Sequence, residues 1–363
     1  MAVKKILIVD DSALMRSVLC DIINSDKRFQ IVDRAKDGVE AFDLLSRNTY
    51  DAVILDVNMP RMNGLELMRK LRQYGISARI LVASTDTKKG NKTAIEALEA
   101  GAVDIIHKPD KIADCRVEEF KREFLNVLTA VSESELHDTM AKETAKESKS
   151  DQQMFQKVAE ILGKSTAKVP GQKIVAIASS TGGPTALQAV IPKLPANLDA
   201  PVLLVQHMNK SFTPSFAERL NELSALTVKE AAEGMELKKG TVYVARGGMH
   251  MKVETHASGR VTIHMSDEPT REGVKPCANY MYESLMGSPY DNIVCVVMTG
   301  MGADGTEGIK NLKTAKKTHV ITQSADTCVV YGMPKAAAEA GLSDQTVPLK
   351  QIAQEIILHI GVE

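Results

Sequence analysis

Two sets of residues in this chain have the types and spacing to do chemistry together. The first is acidic with one cation: Asp10, Asp11, Asp56 and Lys108. Asp10 and Asp11 close a short apolar run at residues 6–9, Asp56 closes a second at 53–55, and Lys108 follows a third at 103–106. Carboxylates gathered in one place repel one another, and a hard divalent cation relieves that repulsion; Mg²⁺ takes oxygen ligands of this kind while keeping waters. Such an ion also shields a phosphoryl donor so that a carboxylate can attack it, and the lysine supplies positive charge for the new phosphate. The plainer reading is a helix-capping Asp-Asp pair with an unrelated surface carboxylate at 56.

The second set is Ser180, His207 and Asp304, each just past an apolar run (residues 173–178, 202–205 and 293–298). At neighbouring strand ends these three could converge as nucleophile, base and orienter. Ser180 precedes Gly182-Gly183, which let a backbone approach a substrate closely. Each residue also has an ordinary role: the serine as a helix cap, the histidine as a satisfied structural residue, the aspartate as a stabiliser of its glycine-rich turn. Gly300, Gly302 and Gly305 also spell a dinucleotide fingerprint, but the next strand ends at neutral Gln323, where a ribose-binding acid is expected.

Both sets need strands whose carboxyl ends lie side by side. Apolar runs at 6–9, 53–55, 79–83 and 103–106 alternate with helical patterns at 12–23 and 93–100, the latter closed by Gly101. That alternation predicts parallel βα units. A second series follows at 173–178, 202–205, 241–245, 293–298 and 319–322, with helical patterns at 184–190 and 212–225 and a hairpin pattern at 251–255 and 261–265. Residues 132–153 between the two series are rich in Ser, Glu, Lys and Thr and bury too little to fold alone. A short apolar patch at 154–162 and Pro170-Gly171 follow. The reading is α/β throughout: a first domain over 1–125, a linker over 126–172 and a second domain over 173–363.

The first domain resembles a response-regulator receiver. The resemblance rests on Val9-Asp10-Asp11-Ser12, Leu55-Asp56-Val57-Asn58-Met59-Pro60, Asn63-Gly64, Ser84-Thr85 and Lys108-Pro109, in order and spacing. It implies a flavodoxin-like parallel sheet, Asp56 as phosphoacceptor, Asp10, Asp11 and Asp56 around Mg²⁺, and Ser84 and Lys108 on the phosphoryl group, with a histidine kinase as phosphodonor. Ile105 stands where receivers commonly carry an aromatic switch residue.

Residues 173–363 resemble the catalytic domain of protein-glutamate methylesterases, the CheB family. The matching segments are Ser180-Thr181-Gly182-Gly183-Pro184, Gln206-His207-Met208, residues 212–220, residues 299–305 and Tyr331-Gly332-Met333-Pro334. The resemblance implies a doubly wound, mostly parallel esterase domain with Ser180 as nucleophile, His207 as base and Asp304 as orienter. Backbone amides near Thr181 and Met301 are the expected oxyanion donors, and no cofactor is expected at this site. The implied substrates are glutamate methyl esters on methyl-accepting chemoreceptors in chemotactic adaptation, and the family also includes receptor glutamine deamidases. An unphosphorylated receiver covering the esterase cleft is the expected form of control. Three segments depart from the family pattern. Ala178-Ser179 replaces Gly-Ala, so Ser179 rivals Ser180, and Ser180 is chosen by counting back from Gly182. Ala245-Arg246-Gly247 replaces Ala-Pro-Gly, and Pro276-Cys277-Ala278-Asn279 replaces Pro-Ser-Val-Asp.

Composition narrows the alternatives. The length of 363 residues suits two ordinary domains. A net charge of -1 provides no global basic field for nucleic acid, and an absence of tryptophan weakens base-stacking recognition. The 5 cysteines include no CxxC pair, which suits a reducing compartment. The opening apolar run turns acidic too soon for a secretory signal, and no stretch approaches a membrane span. A cytoplasmic enzyme that binds no nucleic acid and does not insert into membranes is expected.

Overall fold

Runs of branched apolar residues form the centres of two parallel sheets. The structure, a computed structural model, describes residues 3–85, 88–109, 112–115, 117–134 and 171–363. The chain divides into two units, at 1–145 and 146–363.

The first unit has strands β1 (Lys4–Val9), β2 (Phe29–Ala35), β3 (Ala52–Asp56), β4 (Ile80–Thr85) and β5 (Asp104–Lys108). Their order is β2-β1-β3-β4-β5, and every pair is parallel. This is the flavodoxin-like order, whose crevice opens at the carboxyl ends of β1 and β3. β3 is buried along its whole length, as a strand covered on both faces must be. The Ala13–Asn24 helix starts at Ser12, whose side chain accepts from Met15 N–H, and it buries Met15, Val18, Leu19, Ile22 and Ile23. The Gly64–Gln73 helix starts with a reciprocal Asn63/Glu66 capping box, which satisfies two otherwise orphaned donors.

The last helix of this unit, Glu118–Glu133, runs past the domain limit expected at 125. Its apolar stripe of Phe120, Phe124, Leu128 and Val131 packs into the core with Ile6, Ile8, Ile54 and Leu81. That spacing of four, four and three is one continuous helical face. Most of the expected linker, including the apolar patch at 154–162, lies outside the described residues.

The second unit has strands β6 (Lys173–Ser179), β7 (Val202–Gln206), β8 (Thr227–Glu230), β9 (Thr241–Val244), β10 (His250–Thr255), β11 (Val261–Ser266), β12 (Asn292–Val297), β13 (Thr318–Gln323) and β14 (Gln345–Val347). Seven form one sheet, β14-β13-β12-β6-β7-β9-β8, in which every pair is parallel. β10 and β11 form the expected antiparallel hairpin. β6 lies between β7, next in sequence, and β12, far along the chain. Strand order reverses there, which is where doubly wound sheets place their ligands. Among the described residues, no helix is long and apolar enough to cross a membrane.

Candidate active site

The second unit's site starts with the turn after β6. Gly182 leads into the Gly183–Val190 helix with φ 75°, a left-handed conformation that favours glycine. A Cβ there would also lie 2.5 Å from Val329 Cβ. Pro184 in the first helical turn fits a position whose N–H needs no helical partner. This tight turn separates the two rival serines. Ser179 is fully buried as the last residue of β6, and its Oγ donates to Gln206 Oε1 at 2.7 Å. Ser180 is half-buried, one residue beyond the strand.

Gln206 joins this turn to the end of β7. Its Nε2 donates to the carbonyls of Ser180 (3.0 Å) and His207 (2.9 Å), and His207 N–H donates to the Ser179 carbonyl (3.0 Å). From the other side Ser180 N–H donates to the Thr299 carbonyl (3.0 Å) at the end of β12. Gly300 packs against the serine, where an added Cβ would lie 2.7 Å from Ser180 Cβ. The backbones carrying Ser180, His207 and the glycine-rich loop are therefore cross-linked.

His207 Nε2 lies 2.8 Å from Asp304 Oδ2. A carboxylate accepts, so the Nε2 proton is held there and Nδ1 is the basic nitrogen. Asp304 is buried and takes three further donors: Cys277 Sγ on Oδ1 (3.0 Å), Asn279 N–H on Oδ1 (3.0 Å) and Ala278 N–H on Oδ2 (2.6 Å). Burial pushes its carboxyl up, but the His207 bond and charge, with the Cys277 and Ala278 bonds, outweigh burial and hold it below the usual carboxylate range. Among the described residues, no hydrogen bond engages the N–H of Thr181 or of Met301. The Met301 side chain is exposed.

Sequence reasoning did not single out Gln206 as a brace, nor Cys277 and Asn279 as partners of Asp304. Asn279 Oδ1 accepts from Gly305 N–H (3.1 Å) and Gly308 N–H (2.6 Å), so it also anchors the start of the Thr306–Ala315 helix. The dinucleotide alternative loses ground. Gln323 is fully buried and accepts from Thr299 N–H (2.9 Å) while donating to the Thr327 carbonyl (2.7 Å), which makes it a brace of the loop.

In the first unit Asp10, Asp11 and Asp56 each offer a carboxylate oxygen within 4.8 Å of the others. Lys108 Nζ lies 2.9 Å from Asp10 Oδ2 and 3.0 Å from Asp56 Oδ1. Burial raises the Asp56 pKa, the Asp10 charge adds to this, and Lys108 offsets it only in part. Burial opposes the charge on Lys108, but the two aspartates outweigh it and raise the lysine. One ammonium among three carboxylates leaves net negative charge on hard oxygen donors, a set that suits Mg²⁺. Ser84 is fully buried on β4, beside His107 in register on β5. Ile105 is buried opposite Val82, so a branched aliphatic side chain fills the place expected for an aromatic switch.

Residues 175–356 match the family model for CheB methylesterase, and residues 6–117 match that for response regulator receiver domain. The protein-glutamate methylesterase/protein-glutamine glutaminase of Geobacillus kaustophilus is 39% identical over 358 residues, covering 98% of this chain and 99% of its own. The Bacillus subtilis protein of the same name is 37% identical, covering 97% of each chain. The crystal structure of the Thermotoga maritima CheB methylesterase catalytic domain aligns with a TM-score of 0.50 and 39% identity, covering 52% of this chain and 99% of that one.

Proposed function

This chain belongs to the CheB methylesterase family and carries a receiver domain ahead of its esterase, and from that premise we propose that it hydrolyses glutamate methyl esters on chemoreceptors. The observation that carries the reading is the His207–Asp304 pair (2.8 Å) held on the same braced strand ends as Ser180. In this reading Ser180 Oγ attacks the ester carbonyl and His207 takes its proton, while Asp304 retains the Nε2 proton. The proton then passes to the leaving oxygen, the C–O bond breaks and methanol departs. Water attacks the acyl-serine with His207 again as base, releasing a glutamate carboxylate and free Ser180. General-base help of this kind is worth about 10²–10⁴-fold, and one well-placed oxyanion donor, Thr181 or Met301 N–H, about 3 kcal/mol. With ammonia as leaving group the same acyl chemistry converts a receptor glutamine to glutamate, in keeping with the relatives' second named activity.

Regulation is read from the first unit. Asp10, Asp11 and Asp56 would hold Mg²⁺, which when bound supplies the charge neutralisation that phosphoryl transfer needs. Asp56 receives the phosphoryl group from a histidine kinase, and Lys108 and Ser84 are the residues to receive its oxygens. The phosphorylated receiver then raises the population of active esterase, so that adaptation of the receptors follows kinase output. We place this chemistry in the cytoplasm, where thiols stay reduced, because all five cysteines are free and buried.

The deciding experiment measures methanol release from methylated receptor by wild type, Ser180→Ala and Ser179→Ala. Loss in the first variant with retention in the second supports the assignment; retention in Ser180→Ala refutes it. A phosphodonor should raise the wild-type rate and leave Asp56→Asn unchanged, and equal responses would remove the regulatory claim.

A further inference from the structure

Asp304 is positioned by more than its histidine. Cys277 is fully buried and points its sulfur at Asp304 Oδ1 (3.0 Å), on the opposite side of the carboxylate from His207 Nε2 (2.8 Å to Oδ2). The backbone beneath the thiol is fixed in turn, since Cys277 N–H donates to His250 Nδ1 (3.1 Å). The other ring nitrogen of His250 faces the Pro269 carbonyl (3.2 Å), so the ring carries its proton on Nε2 and accepts at Nδ1. His250 is itself buried and packs on Tyr280 with ring centroids 4.5 Å apart. A chain of contacts thus runs from Pro269 through His250 and Cys277 to the carboxylate.

We propose that Cys277 is a positioning residue of the esterase, whose thiol donates to Asp304 Oδ1 and so aims Oδ2 at His207. This rests on the assignment of His207 and Asp304 as base and orienter. Burial, followed by the nearby Asp304 charge, pushes the Cys277 thiol up, so the sulfur keeps its proton at neutral pH and can serve as a donor. A thiol is a weak donor. It locates the oxygen while leaving most of the carboxylate's charge for the imidazolium that forms on His207. A hydroxyl would bind the oxygen more strongly and draw more of that charge away. An apolar side chain would release it.

The charged and titratable groups around this corner are few. Asp304 is faced by His207, Cys277 and the buried Tyr282. Tyr282 stays neutral, because burial raises it well above its ordinary value. Arg271 acts on Cys277 from its pairing with Glu283 (2.8 Å), while Lys275 and Glu268 act on His250. None of these side chains is itself altered in the Cys277 variants.

The test uses the full chain as wild type, Cys277→Ala and Cys277→Ser, with kcat/KM for methanol release followed across pH. Cys277→Ala should lose about ten-fold, the effect of one hydrogen bond to a charged group in a transition state, and Cys277→Ser should recover most of it. The rising limb of the pH–rate profile should move to higher pH in the alanine variant and to lower pH in the serine variant. The NMR titration of the His207 ring, recorded without substrate, should move in the same order. Coincident limbs and ring titrations in all three proteins, or the reverse order, would overturn the proposal, since a packing role alone lowers the rate without reordering them. Should the alanine variant fail to fold, the serine variant decides: a ring titration identical to wild type overturns it. The ring titration needs no turnover, so its outcome stands apart from whether Ser180 is the nucleophile.

Discussion

Replacing Asp304 by asparagine is the most informative single change in the second unit. Four groups contact the carboxylate: His207 Nε2, Cys277 Sγ, Ala278 N–H and Asn279 N–H. All four donate. An amide offers one acceptor and one donor, so it cannot satisfy them in either orientation. With its nitrogen on the Oδ1 side, it opposes both the Asn279 N–H and the thiol. With its nitrogen on the Oδ2 side it opposes only the Ala278 N–H, because His207 can move its proton to Nδ1 and accept at Nε2. The second orientation leaves fewer orphans and is expected to dominate. In the proposed mechanism it also removes the base, since Nδ1 then carries the proton and offers no lone pair to the Ser180 hydroxyl. In a serine triad such a tautomer error costs about 10⁴-fold in kcat. One orphaned buried N–H costs about 1–3 kcal/mol of stability.

Methanol-release kinetics and urea unfolding of the same preparations measure both effects. A variant within ten-fold of wild type in kcat would refute the reasoning. The pH dependence of stability supplies a further check on sign. The folded Asp304 pKa lies below its ordinary value, so its contribution is present above the unfolded value of about 3.9 and is lost as pH falls through the folded one. The stability gap between wild type and Asp304→Asn should therefore narrow in acid, and a gap that widens there would contradict the assignment.

Three other outcomes are expected. Ser179→Ala removes the donor to Gln206 Oε1 and should lower stability by about 1–2 kcal/mol, read as a lower urea midpoint, with ester hydrolysis retained. Gly300→Ala would place a Cβ 2.7 Å from Ser180 Cβ and 3.0 Å from its N; the displaced serine should lose about 10²-fold in kcat, and unchanged kcat would argue against the serine's role. Lys108→Ala leaves Asp10 and Asp56 buried without their cation, so the first unit should lose about 3 kcal/mol. Added Mg²⁺ should raise its melting temperature more than it raises that of wild type, and equal shifts would speak against a cation among these carboxylates.

The sequence revealed the centre of each sheet better than its edges. β3, β6 and β12 are buried apolar runs, which periodicity detects easily. β2 buries only its end residues, Phe29 and Ala35, and β8 and β14 are short and mostly exposed or half-buried. Their strand character comes from a neighbour's hydrogen bonds, which a local pattern does not encode. The same limit explains the site. Ser180, His207 and Asp304 stand at apolar strand ends and are visible as residue types. Gln206, Cys277 and Asn279 act through contacts that only the fold creates. The Glu118–Glu133 helix crosses the limit expected at 125, because Leu128 and Val131 continue a helical stripe that the adjacent polar stretch obscures.

The place of β6 in its sheet has a consequence for biosynthesis. This strand comes first in its unit, yet it is zipped along one side to β12. Asp304 follows His207 by 97 positions. A ribosome therefore delivers serine and imidazole well ahead of the carboxylate that bonds the imidazole. Parallel pairing across so long a loop is slow, so hydrolytic competence arrives late in translation, after β12 has docked.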